Sequence, residues 1–113
     1  MANVQLKDIA QNVGVAYLHG RLDVAVSGEI EEFLISNIES KNLKQLVLNM
    51  ADVEYMSSSG FRVMISLLRK LKDAGGGLKI CCVRPAVKRI FDVIELTTLF
   101  DMHETEEAAL ASK

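Results

Sequence analysis

Apolar residues recur along this chain with two different periods, and the period switches several times. Val13, Val15 and Tyr17 repeat at every second residue, which predicts a strand. Val4 and Leu6, with Ile9 slightly out of phase, predict a weaker strand before it, joined by a hairpin turn at Asn12-Val13-Gly14. His19 to Asp23 then reads as a loop leaving the sheet. Ile30, Phe33, Leu34 and Ile38 keep helical spacing, which predicts a helix ending near Ser40. Ser27 is its expected cap, with Glu29, Glu31 and Glu32 where a helix start favours acids. Leu46-Val47-Leu48 reads as a central strand buried on both faces, and Asp52 to Met56 as a second extended piece or a turn. Phe61, Met64, Ile65, Leu68 and Leu71 form the clearest helical stripe, with Arg62, Ser66, Arg69, Lys70 and Asp73 opposite and Gly75-Gly76-Gly77 as its stop. Leu78 to Val83 predicts another buried strand. Pro85 fits the first turn of a helix whose buried stripe is Val87, Ile90, Phe91 and Ile94. Leu99 to Met102 predicts a last short strand, and Thr105 caps a final helix over Glu106 to Ala111.

Helices that alternate with apolar strands predict the α/β class, a mixed and largely parallel sheet of about four to five strands packed by about four helices. The 113 residues are expected to form a single domain, 1–113. Half the residues are apolar, which is incompatible with a disordered chain. The two cysteines, Cys81 and Cys82, are too few for a disulfide scaffold and lack metal-ligand spacing. Adjacent in a strand, they point to opposite faces, and a disulfide between them would be strained. They read as two buried thiols of a core strand. A net charge of −2 offers no general attraction to nucleic acid, and the locally basic Arg62, Arg69, Lys70 and Lys72 read as one solvated helix face. No apolar run reaches the roughly 18 residues needed to span a bilayer. Met1 to Gln11 has no signal-peptide core, so a cytoplasmic protein without membrane insertion is expected.

One segment departs from plain packing. Ser57-Ser58-Ser59-Gly60 lies between a buried strand and the strongest helix. Loops at the C-terminal ends of strands are where α/β folds place ligands, and a helix start carries unpaired N–H groups and partial positive charge. A phosphate on a serine here is therefore tolerated by the fold. The plainer reading is that one of the serines simply caps the helix. A catalytic serine would need a base, with His19 and Asp23 as the candidates. The chain lacks the G-x-S-x-G elbow, and its length leaves little room for a substrate pocket. Gly75 to Gly77 end a helix rather than begin one and do not form a phosphate loop.

Three segments, in the same order and spacing, resemble the STAS-domain anti-sigma factor antagonists. Leu48-Asn49-Met50 through Tyr55-Met56-Ser57-Ser58-Ser59-Gly60-Phe61 is similar to that family's phosphorylated motif. Gly20-Arg21-Leu22-Asp23 looks like its loop before the first helix, and Pro85 to Asp92 like the stretch after its fourth strand. The resemblance implies a partner-switching module without catalysis or cofactor of its own. In its unphosphorylated form it binds an anti-sigma factor that is a serine kinase, and the sigma factor is released. Phosphorylation weakens that binding, and a PP2C-type serine phosphatase restores it.

Carried residue by residue, the resemblance makes Ser58 the phosphoacceptor, with Ser57 and Ser59 as alternatives because Ser57 stands where the family usually has Asp. It assigns Gly20, Arg21, Asp23, Ser57, Ser59, Gly60, Phe61 and Arg62 to the partner-binding face. Phe61-Arg62 replaces the commoner Leu-Gly. The domain is expected to stand as a monomer when free. The competing expectation is a STAS scaffold, or a regulatory subunit of a stressosome or membrane transport complex. A small serine hydrolase is the third.

Overall fold

Alternation along the central strands divides their side chains between two faces of one sheet. Ala16, Leu18, Leu46, Leu48, Leu78 and Ile80 enter the main core, while Val15, Val47 and Cys81 face the other way. The computed structural model describes residues 3–93 and 98–112. Its elements are β1 (Val4–Ala10), β2 (Val13–Leu22), α1 (Val24–Ser40), β3 (Gln45–Met56), α2 (Ser58–Asp73), β4 (Gly77–Cys81), α3 (Pro85–Val93), β5 (Asp101–His103) and α4 (Glu106–Ala111). The strands form a five-stranded sheet in the order β1-β2-β3-β4-β5. β1 pairs antiparallel with β2, and the other neighbours are parallel. This is the mixed α/β sheet with four helices that the hydrophobic pattern predicts.

Helices α1, α2 and α3 cover the main face. Ile30, Leu34 and Ile38 descend from α1, Phe61, Met64, Leu67, Leu68 and Leu71 from α2, and Val87 and Phe91 from α3. Phe91 sits edge-on to Phe61, with ring centres 4.7 Å apart, and edge-on to Phe100 at 6.1 Å. The opposite face is covered more lightly. Ala109 of α4 packs on Val15, Val47 and Cys81. Polar bonds fix both ends of that helix. Asn49 Nδ2 donates to Glu106 Oε1 at 3.0 Å, and the buried Lys79 Nζ donates to the Ser112 carbonyl. Burial, with Glu106 beside the hydroxyl, raises the Tyr17 phenol above its ordinary range.

Several boundaries differ from the sequence expectation, each for a physical reason. β2 does not leave the sheet at His19. Two irregularities, between Tyr17 and His19 and between Gly20 and Arg21, let it follow β3 as far as Leu22. Gly20 takes φ +80, a conformation that only glycine adopts without cost. Asp52 to Met56 continues β3 rather than forming a separate piece. Irregular pairing between Asp8 and Ala10 turns Ile9 outward, which explains its broken phase. The hairpin turns at Gln11 and Asn12, one residue early, with Asn12 at φ 65.

Ser27 does not cap α1. Asp23 does, accepting from Val26 N at 3.2 Å, and Ser27 is buried with its Oγ donating to the Asp23 carbonyl at 2.7 Å. The glutamates accordingly fall beyond the first turn. β4 stops at Cys81 because Cys82 adopts φ 64, so Cys82 is half-buried outside the strand and not a core-strand thiol. The last strand is Asp101–His103, and Leu99 is exposed ahead of it. Ile94, expected in the stripe of α3, lies outside the described residues.

Two glycines separate crowding from propensity. A β-carbon on Gly76 would overlap the Lys44 carbonyl, whereas one on Gly28 in α1 meets nothing within 4 Å. Gly76→Ala is expected to lower the unfolding free energy by about 3 kcal/mol or more. Gly28→Ala is expected to raise it by about 0.5–1 kcal/mol. Urea denaturation of the two variants beside wild type measures both.

Candidate functional site

β2 and β3 run parallel and finish side by side, with Leu22 opposite Met56. A helix begins directly after each, so the starts of α1 and α2 lie next to one another at one end of the sheet. The Leu22 carbonyl fastens the two together. It accepts from Ser57 N at 3.0 Å and from Ser57 Oγ at 3.1 Å. Ser57 occupies the N-cap position of α2, yet its hydroxyl makes no cap bond, because it is turned sideways onto Leu22. The expectation that a serine side chain caps this helix is therefore corrected.

The start of α2 is consequently electropositive and unscreened. No side chain caps it, and its first turn holds no acid. Ser58 is the first helical residue and is exposed, whereas Ser57 and Ser59 are half-buried. Gly60 is buried against the same junction. A β-carbon there would lie 3.3 Å from the Leu22 carbonyl oxygen and 3.0 Å from Met56 Cε. Glycine at this position thus lets α2 approach the end of β2 closely.

The structure brings most of the residues predicted for this site to one end of the sheet. Gly20, Arg21 and Asp23 lie on and after the end of β2, and Ser57 to Arg62 begin α2. Phe61 is different. Its ring is 4% exposed and packs in the core against Phe91, so it supports the site from behind instead of presenting itself to a partner. The hydrophobic pattern missed Tyr55 and Val24. The Arg21 guanidinium lies 4.4 Å from the centre of the half-exposed Tyr55 ring, and Val24 is 74% exposed at the first position of α1. An exposed tyrosine and valine flanking Asp23 and Ser57 are the available signal, visible only once β2 and β3 are paired in register.

The histidines do not build a serine triad. His19 Nδ1 is 3.5 Å from Asp52 Oδ2, and His103 Nε2 is 2.9 Å from Asp101 Oδ1. Each histidine has an aspartate as its ionic neighbour, and the Asp23 carboxylate is committed to capping α1.

A helix-backed mixed sheet with an exposed serine at an uncapped helix start makes a small α/β binding module. The STAS domain model matches residues 5–109, and the chain belongs to that family, whose anti-sigma factor antagonists are regulatory binding proteins and not enzymes. BtrV of Bordetella bronchiseptica is 28% identical over 98 residues, covering 87% of this chain and 84% of its own. The anti-sigma-B factor antagonist of Staphylococcus epidermidis is 31% identical over 88 residues, covering 78% and 81%. Unphosphorylated SpoIIAA shares the fold with a TM-score of 0.82 at 23% identity, over 95% of this chain and 92% of its own. Among the described residues no helix is long and apolar enough to cross a membrane.

The junction separates three neighbouring side chains by their effect on stability. Asp23→Ala removes the α1 cap and is expected to cost about 1 kcal/mol. Ser57→Ala removes the Oγ bond to Leu22 and is expected to cost about 1 kcal/mol. Ser58→Ala is expected to stay within about 0.5 kcal/mol of wild type, as an exposed position should. Urea midpoints of the three variants provide the comparison.

Proposed function

We propose that this chain is an anti-sigma factor antagonist whose binding is switched off by phosphorylation of Ser58. The observation that carries the reading is the exposure of Ser58 at a helix start with neither cap nor acid, next to the start of α1. The names of the relatives support antagonism of anti-sigma factors. SpoIIAA, which shares the fold, is known in an unphosphorylated and a phosphorylated form. What favours Ser58 over Ser57 is that the Ser57 hydroxyl is engaged with Leu22. What favours it over Ser59 is exposure.

The partner is an anti-sigma factor with serine-kinase activity, and a PP2C-type phosphatase resets the switch. The face it meets combines Arg21, Asp23, Val24 and Tyr55 with Ser58 and Arg62. A phosphate on Ser58 adds roughly two negative charges where the α2 dipole welcomes them, so the fold persists. Arg62 follows four residues later on the same exposed side, at the spacing that lets it pair with that phosphate in the free protein. In a complex the dianion must be stripped of water against the partner, which costs several kcal/mol unless it is fully paired. A loss of about 2.7 kcal/mol already weakens binding roughly a hundredfold. One phosphate is enough for a switch without any change in fold.

The test is incubation with ATP and the candidate kinase, followed by intact-mass and phosphopeptide analysis beside Ser58→Ala. One phosphate on wild type and none on the variant is expected, with the phosphorylated form binding the kinase at least about a hundredfold more weakly. Phosphate that persists in the variant transfers the role to Ser57 or Ser59. A kinase that binds the protein but adds no phosphate overturns the switch and leaves a constitutive scaffold.

A further inference from the structure

Two adjacent cysteines within a strand keep their thiols apart, because successive side chains point to opposite faces. Here both side chains belong to one cluster on one face of the sheet. Cys81 ends β4 with its side chain buried on the α4 face, and Cys82 turns back through φ 64. That left-handed conformation is disfavoured for residues other than Gly, Asn and Asp. Its effect is to bring the Cys82 side chain back against the cluster formed by Val15, Val47, Cys81 and Ala109, on the same face as Cys81. The Cys82 N–H is held at 3.3 Å from the His103 carbonyl. The turn is thereby anchored to the edge strand.

From this geometry we infer that Cys81 and Cys82 form a reversible dithiol–disulfide site, oxidised by a small peroxide. The half-exposed Cys82 meets the oxidant. Its sulfur attacks the peroxide O–O bond and becomes a sulfenic acid, and the displaced oxygen takes the Cys82 proton and leaves as water, or as an alcohol from an alkyl peroxide. The Cys81 sulfur then attacks the sulfenic sulfur. The S–S bond forms, the S–O bond breaks, and the hydroxyl leaves as water with the Cys81 proton. Two electrons pass from the dithiol to one peroxide.

The division of labour follows from the surroundings. Burial above all, then the neighbouring Cys82 side chain and the charges of Glu106 and Glu107, push the Cys81 thiol well above its ordinary range. It is therefore a poor first nucleophile. As the resolving thiol it needs only to reach its neighbour, and the fixed proximity compensates for a low thiolate fraction. Neighbouring α-carbons stand about 3.8 Å apart across a trans peptide. Ordinary disulfides span at least about 4.4 Å, so this one is strained and readily reduced. It acts as a removable mark and not as a staple. The site is independent of the serine junction and does not rest on the reading of Ser58.

The test treats the reduced full chain with hydrogen peroxide and follows the tryptic peptide Ile80–Lys88 by mass. The expected product is a monomer lighter by two hydrogens with both thiols lost to alkylation, restored by dithiothreitol. Cys81→Ser is expected to leave a Cys82 sulfenic acid that dimedone captures. Cys82→Ser is expected to keep Cys81 reduced under the same dose. The inference is overturned if wild type retains two alkylatable thiols, if Cys82 only gains oxygen atoms, or if the disulfide joins two chains.

Discussion

A single carbonyl, that of Leu22, holds together the end of the sheet where α1 and α2 begin. It ends β2, yet it accepts both the backbone N–H and the hydroxyl of Ser57, the residue that precedes α2. Everything around it follows from that pairing. β2 must extend as far as β3, which requires the bulged stretch around Gly20. α2 must start close against β2, which requires Gly60. The Ser57 side chain, spent on the cross-link, is unavailable to cap its own helix. The positive end of α2 is left for the exposed Ser58.

The neighbouring helix shows the contrast. α1 begins with Asp23, whose carboxylate accepts the Val26 N–H and neutralises that start. Two helix starts therefore lie side by side, one capped by an anion and one open. An added phosphate on α2 completes a charge pattern that α1 already has. The phosphorylation proposed for Ser58 would alter the surface a partner meets while the core beneath, with Phe61 against Phe91, stays as it is.

The sequence made the layers legible because burial on this fold follows period. The α2 stripe was readable from Phe61 to Leu71, as was the two-sided burial of Leu46 to Leu48. The site was partly legible through three short segments whose proximity the topology creates. What stayed hidden depends on partners distant in sequence. His19 to Leu22 looks like a loop because bulges break its alternation, and only pairing with β3 makes it a strand. Ser27 has the chemistry of a cap but is a full turn late, since Asp23 precedes it and the chain is already helical. Cys82 has no local signal for a left-handed conformation. Its turn is fixed instead by the bond to His103 and by packing against the cluster of Val15, Val47, Cys81 and Ala109.

The two faces of the sheet are held by different physics, and that asymmetry places rigidity beneath the proposed switch. The main face stacks apolar side chains from three helices, including the aromatic chain Phe61, Phe91 and Phe100. Close-packed interiors of this kind are stiff and have low compressibility. The back face has one short helix whose only fully buried side chain is Ala109, fixed at its ends by Glu106 and by Lys79 on the Ser112 carbonyl. Along one row of that face Gln5, Tyr17, Asn49, Cys81 and His103 are neighbours across all five strands. Such a polar row gives up less water than an apolar one and adds directional bonds in place of bulk burial. The serine helix thus rests on the stiff side of the domain, and the thiol pair lies on the side where a covalent change disturbs the fewest packed atoms.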